Sequence, residues 1–196
     1  MKRSREDPLK TIVTRPYKKH RGLIMGVYKL AAAAPFPNIT LPTLESTSHT
    51  LGQPQEGFEW CMVVIYRGKH CPLCTRYLNQ LETLKQRLHN LKVDLVAASA
   101  DSREQLSEHM QQLSISFPVT YGLTVEHMHQ LGLYISSPRS PQETDHPFSE
   151  PGLFVINEHG VVQVIDISNS PSFRPELETV IAGAYSGLLE HRFWST

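Results

Sequence analysis

The chain has 196 residues, 40% hydrophobic and 19% charged, with nineteen Lys/Arg balanced by nineteen Asp/Glu; it is long and apolar enough for one packed domain plus a tail. Eight basic residues precede Gly22 against only Glu6 and Asp7, which leaves eleven basic and seventeen acidic residues in the remainder, an acidic domain carrying a basic arm. The domain therefore has no nucleic-acid footprint, no apolar run reaches the ~18–20 residues of a membrane span, and three cysteines are too few and too odd in number for a secreted disulfide scaffold. A reducing, cytoplasmic setting is expected.

Residues 1–35 read as a poorly ordered basic extension ending at Pro35 and Pro37. Gly22–Tyr28 and Leu30–Ala34 have some character of a signal peptide, but Lys29 splits them into pieces at or below the short end of the ~7–15 residues such a segment needs; a start at Met25 is the plainer reading. The domain is placed at 36–190, with 191–196 as a tail. Asn38–Leu44 reads as a short extended segment, and 46–58, with Gly52, Pro54 and Gly57, as turns. Trp60–Tyr66 is continuously apolar, the pattern of a central strand buried on both faces. A helix follows from Cys71/Pro72 to about Leu91, with Leu78, Leu81, Leu84, Leu88 and Leu91 spaced by three and four.

Val93–Ala98 is a second buried strand. Ser102 with Gln105 forms a capping box for a helix to about Leu113. Phe117–Tyr121 is a short strand, Thr124–Leu131 a short helix, and Ser136–Ser149 a loop rich in Ser and Pro. Gly152–Ile156 and Val161–Ile167 form a hairpin about the turn Asn157–Gly160. Pro175 suits the first turn of a last helix to about Leu189. Strands alternating with helices, then a hairpin and a closing helix, predict an α/β domain with a central mixed sheet flanked by helices.

The chemistry concentrates in Cys71-Pro72-Leu73-Cys74, where a buried strand turns into a long helix. Free backbone N–H groups and the positive end of the helix dipole favour a thiolate there, and Arg67, Lys69 and His70 add positive charge. Pro72 at the first helical position costs no hydrogen bond. Two intervening residues let the sulfurs close a disulfide across the first turn, the minimum for thiol–disulfide exchange. A half zinc site is the first alternative, but Cys61 lies mid-strand and reads as core, and His109, His127 and His129 complete no tetrahedral set; no metal and no cofactor are expected. Two inert structural cysteines are the second, against which stand the basic and polar neighbours.

The strand Met62–Tyr66, the Cys-Pro-Leu-Cys at 71–74, the helix after it and Ser-Glu-Pro-Gly-Leu-Phe-Val-Ile at 149–156 resemble the thioredoxin superfamily, most closely its alkyl hydroperoxide reductase/thiol-specific antioxidant (peroxiredoxin-like) branch. The resemblance covers about Pro37 to Leu189 and implies a thioredoxin-like fold. It matches Cys71 to the attacking and Cys74 to the resolving cysteine of thioredoxins; in peroxiredoxins the peroxide-attacking cysteine stands at the place of Cys74. Glu150-Pro151-Gly152 by itself reads as a loop ending in a trans Pro, whereas the resemblance matches Pro151 to the superfamily's cis-proline beside the dithiol. The chain also departs from these patterns: Arg67 and Cys71 stand where peroxiredoxins carry Pro and Thr, Glu150-Pro151-Gly152 replaces the Arg before the late strand, and Ile65 stands where thioredoxins bury an Asp. His70 and Glu150 are left as candidates for proton transfer.

The resemblance thus implies an antioxidant oxidoreductase cycling a Cys71–Cys74 dithiol, with Arg67, His70, Pro72, Glu150 and Pro151 supporting it. Its substrate would be a peroxide or a protein disulfide, its electron donor a thiol system such as thioredoxin or glutathione, with neither nucleic acid nor membrane as partner. The alternative is a thioredoxin-fold binding or redox-sensing module without turnover.

Overall fold

The structure is a computed structural model and describes residues 30–183; residues 1–29, with the Gly22–Tyr28 segment, the C-terminal tail and the far end of the last helix lie outside the described residues. In chain order the elements are β1 (Thr40–Pro42), β2 (Ser48–Thr50), β3 (Trp60–Ile65), α1 (Pro72–Asn90), β4 (Val93–Ala98), α2 (Arg103–Met110), β5 (Val119–Thr120), α3 (Val125–Gln130), β6 (Ile135–Ser136), β7 (Phe148–Ser149), β8 (Gly152–Ile156) and β9 (Val162–Ile167). A fourth helix, α4, begins at residue 177 and is described to 183.

The central sheet runs β5-β4-β3-β8-β9. β4 is parallel to both β3 and β5, while β8 is antiparallel to β3 and to β9. This is the α/β thioredoxin-like architecture expected from the sequence. β3 is apolar throughout because both of its faces are covered. Trp60, Met62, Val64 and Tyr66 point into the core under α1 and α2, whereas Cys61, Val63 and Ile65 point into a second core with Ile39, Leu41, Met128 and Phe154. Leu78, Leu81 and Leu88 of α1 are fully buried; at ~1.5–3 kcal/mol each, that face fastens the helix by roughly 5–9 kcal/mol before entropy is counted.

Local signals hold at most boundaries. The capping box is present, with Gln105 N–H donating to Ser102 Oγ and Ser102 N–H to Gln105 Oε1. The Asn157 side chain accepts from the N–H groups of His159 and Val161, closing the β8–β9 turn. Four boundaries differ. The segment 46–58 contains β2, which pairs with β1 through Leu41↔His49, and the 136–149 loop is pinned at both ends by the β6–β7 ladder. Leu30 is buried, and Ala33 and Phe36 donate to Val162 O and Gly160 O, so packed chain extends ahead of position 36. Pro175 precedes the cap of α4 rather than lying in its first turn: the Glu176 carboxylate accepts from Thr179 N–H.

Candidate active site

Cys71 is the N-cap of α1, and Pro72 opens the helix. The cap geometry turns Cys71 Sγ toward the first turn, where it accepts from Cys74 N–H at 3.3 Å, while Cys71 O accepts from the N–H groups of Cys74 and Thr75. Cys71 and Cys74 are joined as a disulfide with Cα atoms 5.3 Å apart. Both are buried, Cys74 completely, with Cys71 at 2% exposure.

Arg174 is the residue that touches the sulfur: its Nη2 donates to Cys74 Sγ at 3.0 Å. It arrives from the segment ahead of α4 and lies over the Tyr77 ring, 4.9 Å from the centroid, while Tyr77 OH donates to Pro175 O. Burial lowers the Arg174 pKa to about 10, the guanidinium remaining charged at neutral pH. The sequence offered no sign of this contact. An Arg before a Pro in Ser-Phe-Arg-Pro carries no periodicity, and the two partners are 100 residues apart.

The basic residues ahead of the dithiol deliver their charge elsewhere. Arg67 is held by two carboxylates, Glu143 Oε1 at 3.3 Å and Glu150 Oε1 at 3.4 Å, and lies over the Phe148 ring at 4.5 Å. Lys69 pairs with Glu108. His70 packs on Phe148 with ring centroids 4.6 Å apart; burial, then the Arg67 charge, lowers its pKa to about 4, so it is neutral at pH 7. Glu143 in turn binds Arg139, whose hydrogen bonds hold that carboxyl at about 2. Glu150 also accepts from Ser136 Oγ at 2.7 Å, and its Oε2 is buried without a hydrogen-bond partner among the described residues.

Pro151 departs from the cis form that the resemblance implies and keeps the trans form of the plainer reading: no cis peptide bond occurs among the described residues. Glu150 N–H donates to Tyr134 O, and Pro151 O accepts from Ser168 N–H, so this stretch continues the extended path of β7 into β8. Behind the helix start, the wholly buried His109 shares a hydrogen bond with Thr75 Oγ1 at 2.9 Å, and Thr75 Oγ1 donates to Cys71 O. Burial is the main cause of its pKa falling to about 4. Cys61 is free and buried, its thiol pushed up by burial, and takes no part in the site.

Two grooves flank Arg174. One of about 580 Å³ is lined by Leu73, Arg76, Tyr77, Pro171, Arg174 and Leu177; the other, about 390 Å³, by Tyr134, Asp166, Ser168, Phe173, Arg174 and Pro175. Leu73, Tyr134 and Phe173 are exposed by 36%, 50% and 72%. Among the described residues no group of three or more His, Cys, Asp or Glu is placed to hold a metal ion, and no helix is long and apolar enough to cross a membrane.

A sequence model of the AhpC/TSA family matches residues 32–165. Among proteins of curated function, none matches this chain. Among solved structures, a peroxiredoxin-like protein from Aquifex aeolicus is 13% identical with a TM-score of 0.67, over 81% of this chain and 88% of that one. Peroxiredoxin 6 of Arenicola marina is 16% identical with a TM-score of 0.67, over 83% and 75%. AhpC of Mycobacterium tuberculosis is 13% identical with a TM-score of 0.62, over 81% and 93%. At these identities the likeness is one of fold.

Proposed function

The chain belongs to the AhpC/TSA family and is a thiol-dependent oxidoreductase; from that premise we propose that it reduces peroxides through Cys74, with Cys71 as the resolving thiol. The observation that carries this reading is the 3.0 Å contact from Arg174 to Cys74 Sγ. A guanidinium donor and the helix N-terminus both favour a thiolate at that sulfur, and the thiolate is the nucleophile. Cys74–S⁻ attacks the peroxide O–O bond, which leaves Cys74 as a sulfenic acid and releases the alcohol or water once the leaving oxygen takes a proton. The Cys71 thiol then condenses with the sulfenic acid, forming the disulfide and expelling water.

Resetting requires a thiol donor. Its thiolate attacks the Cys71 sulfur, the slightly exposed one, and Cys74 departs as the thiolate beside Arg174, since a stabilised thiolate is the better leaving group. The exposed Leu73, Tyr134 and Phe173 suit a protein donor of the thioredoxin type more than glutathione alone. Arg67, His70, Pro72, Glu150 and Pro151 are supporting residues in this reading: Pro72 fixes the helix start, and the Arg67 cluster holds the loop facing it. A cytoplasmic setting fits a chain that keeps Cys61 as a free, buried thiol while Cys71 and Cys74 cycle.

The second reading, disulfide exchange led by Cys71, rests on that residue's N-cap position and greater exposure. One equivalent of hydrogen peroxide added to reduced protein, followed by mass spectrometry, separates the two. The peroxidase reading requires the Cys71–Cys74 disulfide to form within the dead time of hand mixing, and a dithiol that persists after peroxide addition rejects it.

A further inference from the structure

Arg174 stands on Cys74 Sγ, with Nη2 at 3.0 Å, although a sulfur in a disulfide carries no charge. Attraction to a thiolate is therefore not what holds it there. None of the ion pairs among the described residues involves Arg174, and its Nε is buried without a hydrogen-bond partner among them. Tyr77 meets it twice. The guanidinium lies 4.9 Å from the centroid of the Tyr77 ring, and Tyr77 OH donates to Pro175 O at 3.2 Å, one residue further along the same segment. We propose that Tyr77 is a positioning residue for the peroxide step, holding Arg174 on the Cys74 sulfur before the thiolate forms. The proposal deepens the peroxidase reading and rests on Cys74 as the attacking thiol.

Tyr77 follows Cys74 by three residues on α1, so the sulfur and the ring share one face of the helix. Both side chains are buried in the core under that helix. Arg174, by contrast, belongs to residues 168–176, a stretch outside any helix or strand, where the neighbouring Phe173 is exposed. An Arg side chain on such a stretch spreads over many rotamers, and ordering it costs free energy. The ring presents its negative face to the planar guanidinium, while the hydroxyl fixes the backbone that follows Arg174. Burial is the main cause of the Tyr77 pKa rising to about 12, so the hydroxyl remains a donor at neutral pH. When Cys74–SH loses its proton to solvent, the new thiolate meets a cation already in place. A donor aimed in advance at the developing charge needs no reorganisation and favours the thiolate more than a mobile one does.

The test is the pKa of Cys74, read from thiolate absorbance between pH 4 and 9 in a Cys71→Ser background, where Cys74 is the only thiol of the site. Tyr77→Leu is expected to raise that pKa by about half to one unit, with peroxide attack at neutral pH slowed roughly three- to tenfold. The rise is smaller than for loss of the guanidinium itself, because the thiolate, once formed, also attracts Arg174. Tyr77→Phe keeps the ring and loses the tie to Pro175, and should give less than half the shift. In an Arg174→Gln background Tyr77→Leu should move the pKa by no more than about 0.2 unit, a cancellation that a merely structural role would not produce. Near-UV circular dichroism reports folding; if the Leu variant does not fold, Tyr77→Met must give the same rise. An unmoved pKa, or an undiminished rise without Arg174, overturns the proposal. The titration uses no peroxide. Slow peroxide loss with these shifts intact would remove the peroxidase reading and leave the hold of Tyr77 on Arg174 standing.

Discussion

Replacing Arg174 by Gln should raise the pKa of Cys74 in the reduced protein by about one to two units. The contact at 3.0 Å is a hydrogen bond from a charged donor, and such bonds contribute roughly 1.5–3 kcal/mol net. The helix N-terminus contributes ~0.3–1 kcal/mol, so the guanidinium is the larger of the two influences on the sulfur. At 1.36 kcal/mol per pKa unit, the loss corresponds to a rise of about one to two units; the half-buried position of Arg174 and residual screening favour the lower end. Below both pKa values the thiolate fraction, and with it the rate of peroxide attack, falls about ten- to a hundredfold. The assay is thiolate ultraviolet absorbance against pH, paired with single-turnover peroxide loss on the same sample. Arg174→Lys keeps a charge but loses the planar fork over Tyr77 and should recover only part of the effect. A Cys74 pKa unmoved by Arg174→Gln would mean that the guanidinium does not stabilise the thiolate, whatever happens to the rate.

Other consequences are more local. Cys71→Ser should still attack peroxide once, then accumulate the sulfenic acid, detectable by mass spectrometry after dimedone labelling; no accumulation would deny Cys71 its resolving role. Gly68 has φ +127°, and a Cβ there would run into Asp101, with Cγ at 3.0 Å; Gly68→Ala should cost roughly 1–3 kcal/mol in backbone strain alone, read as a lower urea midpoint. His109 is held neutral, with its folded pKa near 4 against an ordinary 6.5. The unfolded chain therefore binds more protons between those values, and stability is full above pH 6.5 and declines as pH falls toward 4. His109→Gln should flatten that decline in urea titrations across the window, and an unchanged slope would exclude His109 as its source.

Much of the fold is legible because its signals are local. An uninterrupted apolar strand, a Leu face of period three to four, a capping box at Ser102 and an Asn-containing turn each act within a few residues, and each element stands where expected. The dithiol is legible for the same reason: strand end, Pro72 and the two cysteines are contiguous. What failed was non-local. β2 has only three residues and becomes a strand by pairing with β1, a partner its own composition does not announce. Leu30 is buried, Ala33 donates to Val162 O and Phe36 to Gly160 O, which no pattern in a basic, small-residue stretch foretells. Pro151 adopts the trans form although the resemblance points to cis, with Glu150 N–H donating to Tyr134 O and Pro151 O accepting from Ser168 N–H. Arg67 and His70 sit close to Cys71 in sequence, but carboxylates and burial cancel the positive charge expected of them, and Arg174 supplies it from 100 residues away.

Hydrogen peroxide loss with reduced wild type, Cys71→Ser and Cys74→Ser shows which thiol attacks. Attack through Cys74 gives a first turnover far faster than a free thiol gives in wild type and in Cys71→Ser, and none in Cys74→Ser. Slow loss in all three, or a fast turnover that survives in Cys74→Ser and vanishes in Cys71→Ser, would contradict it.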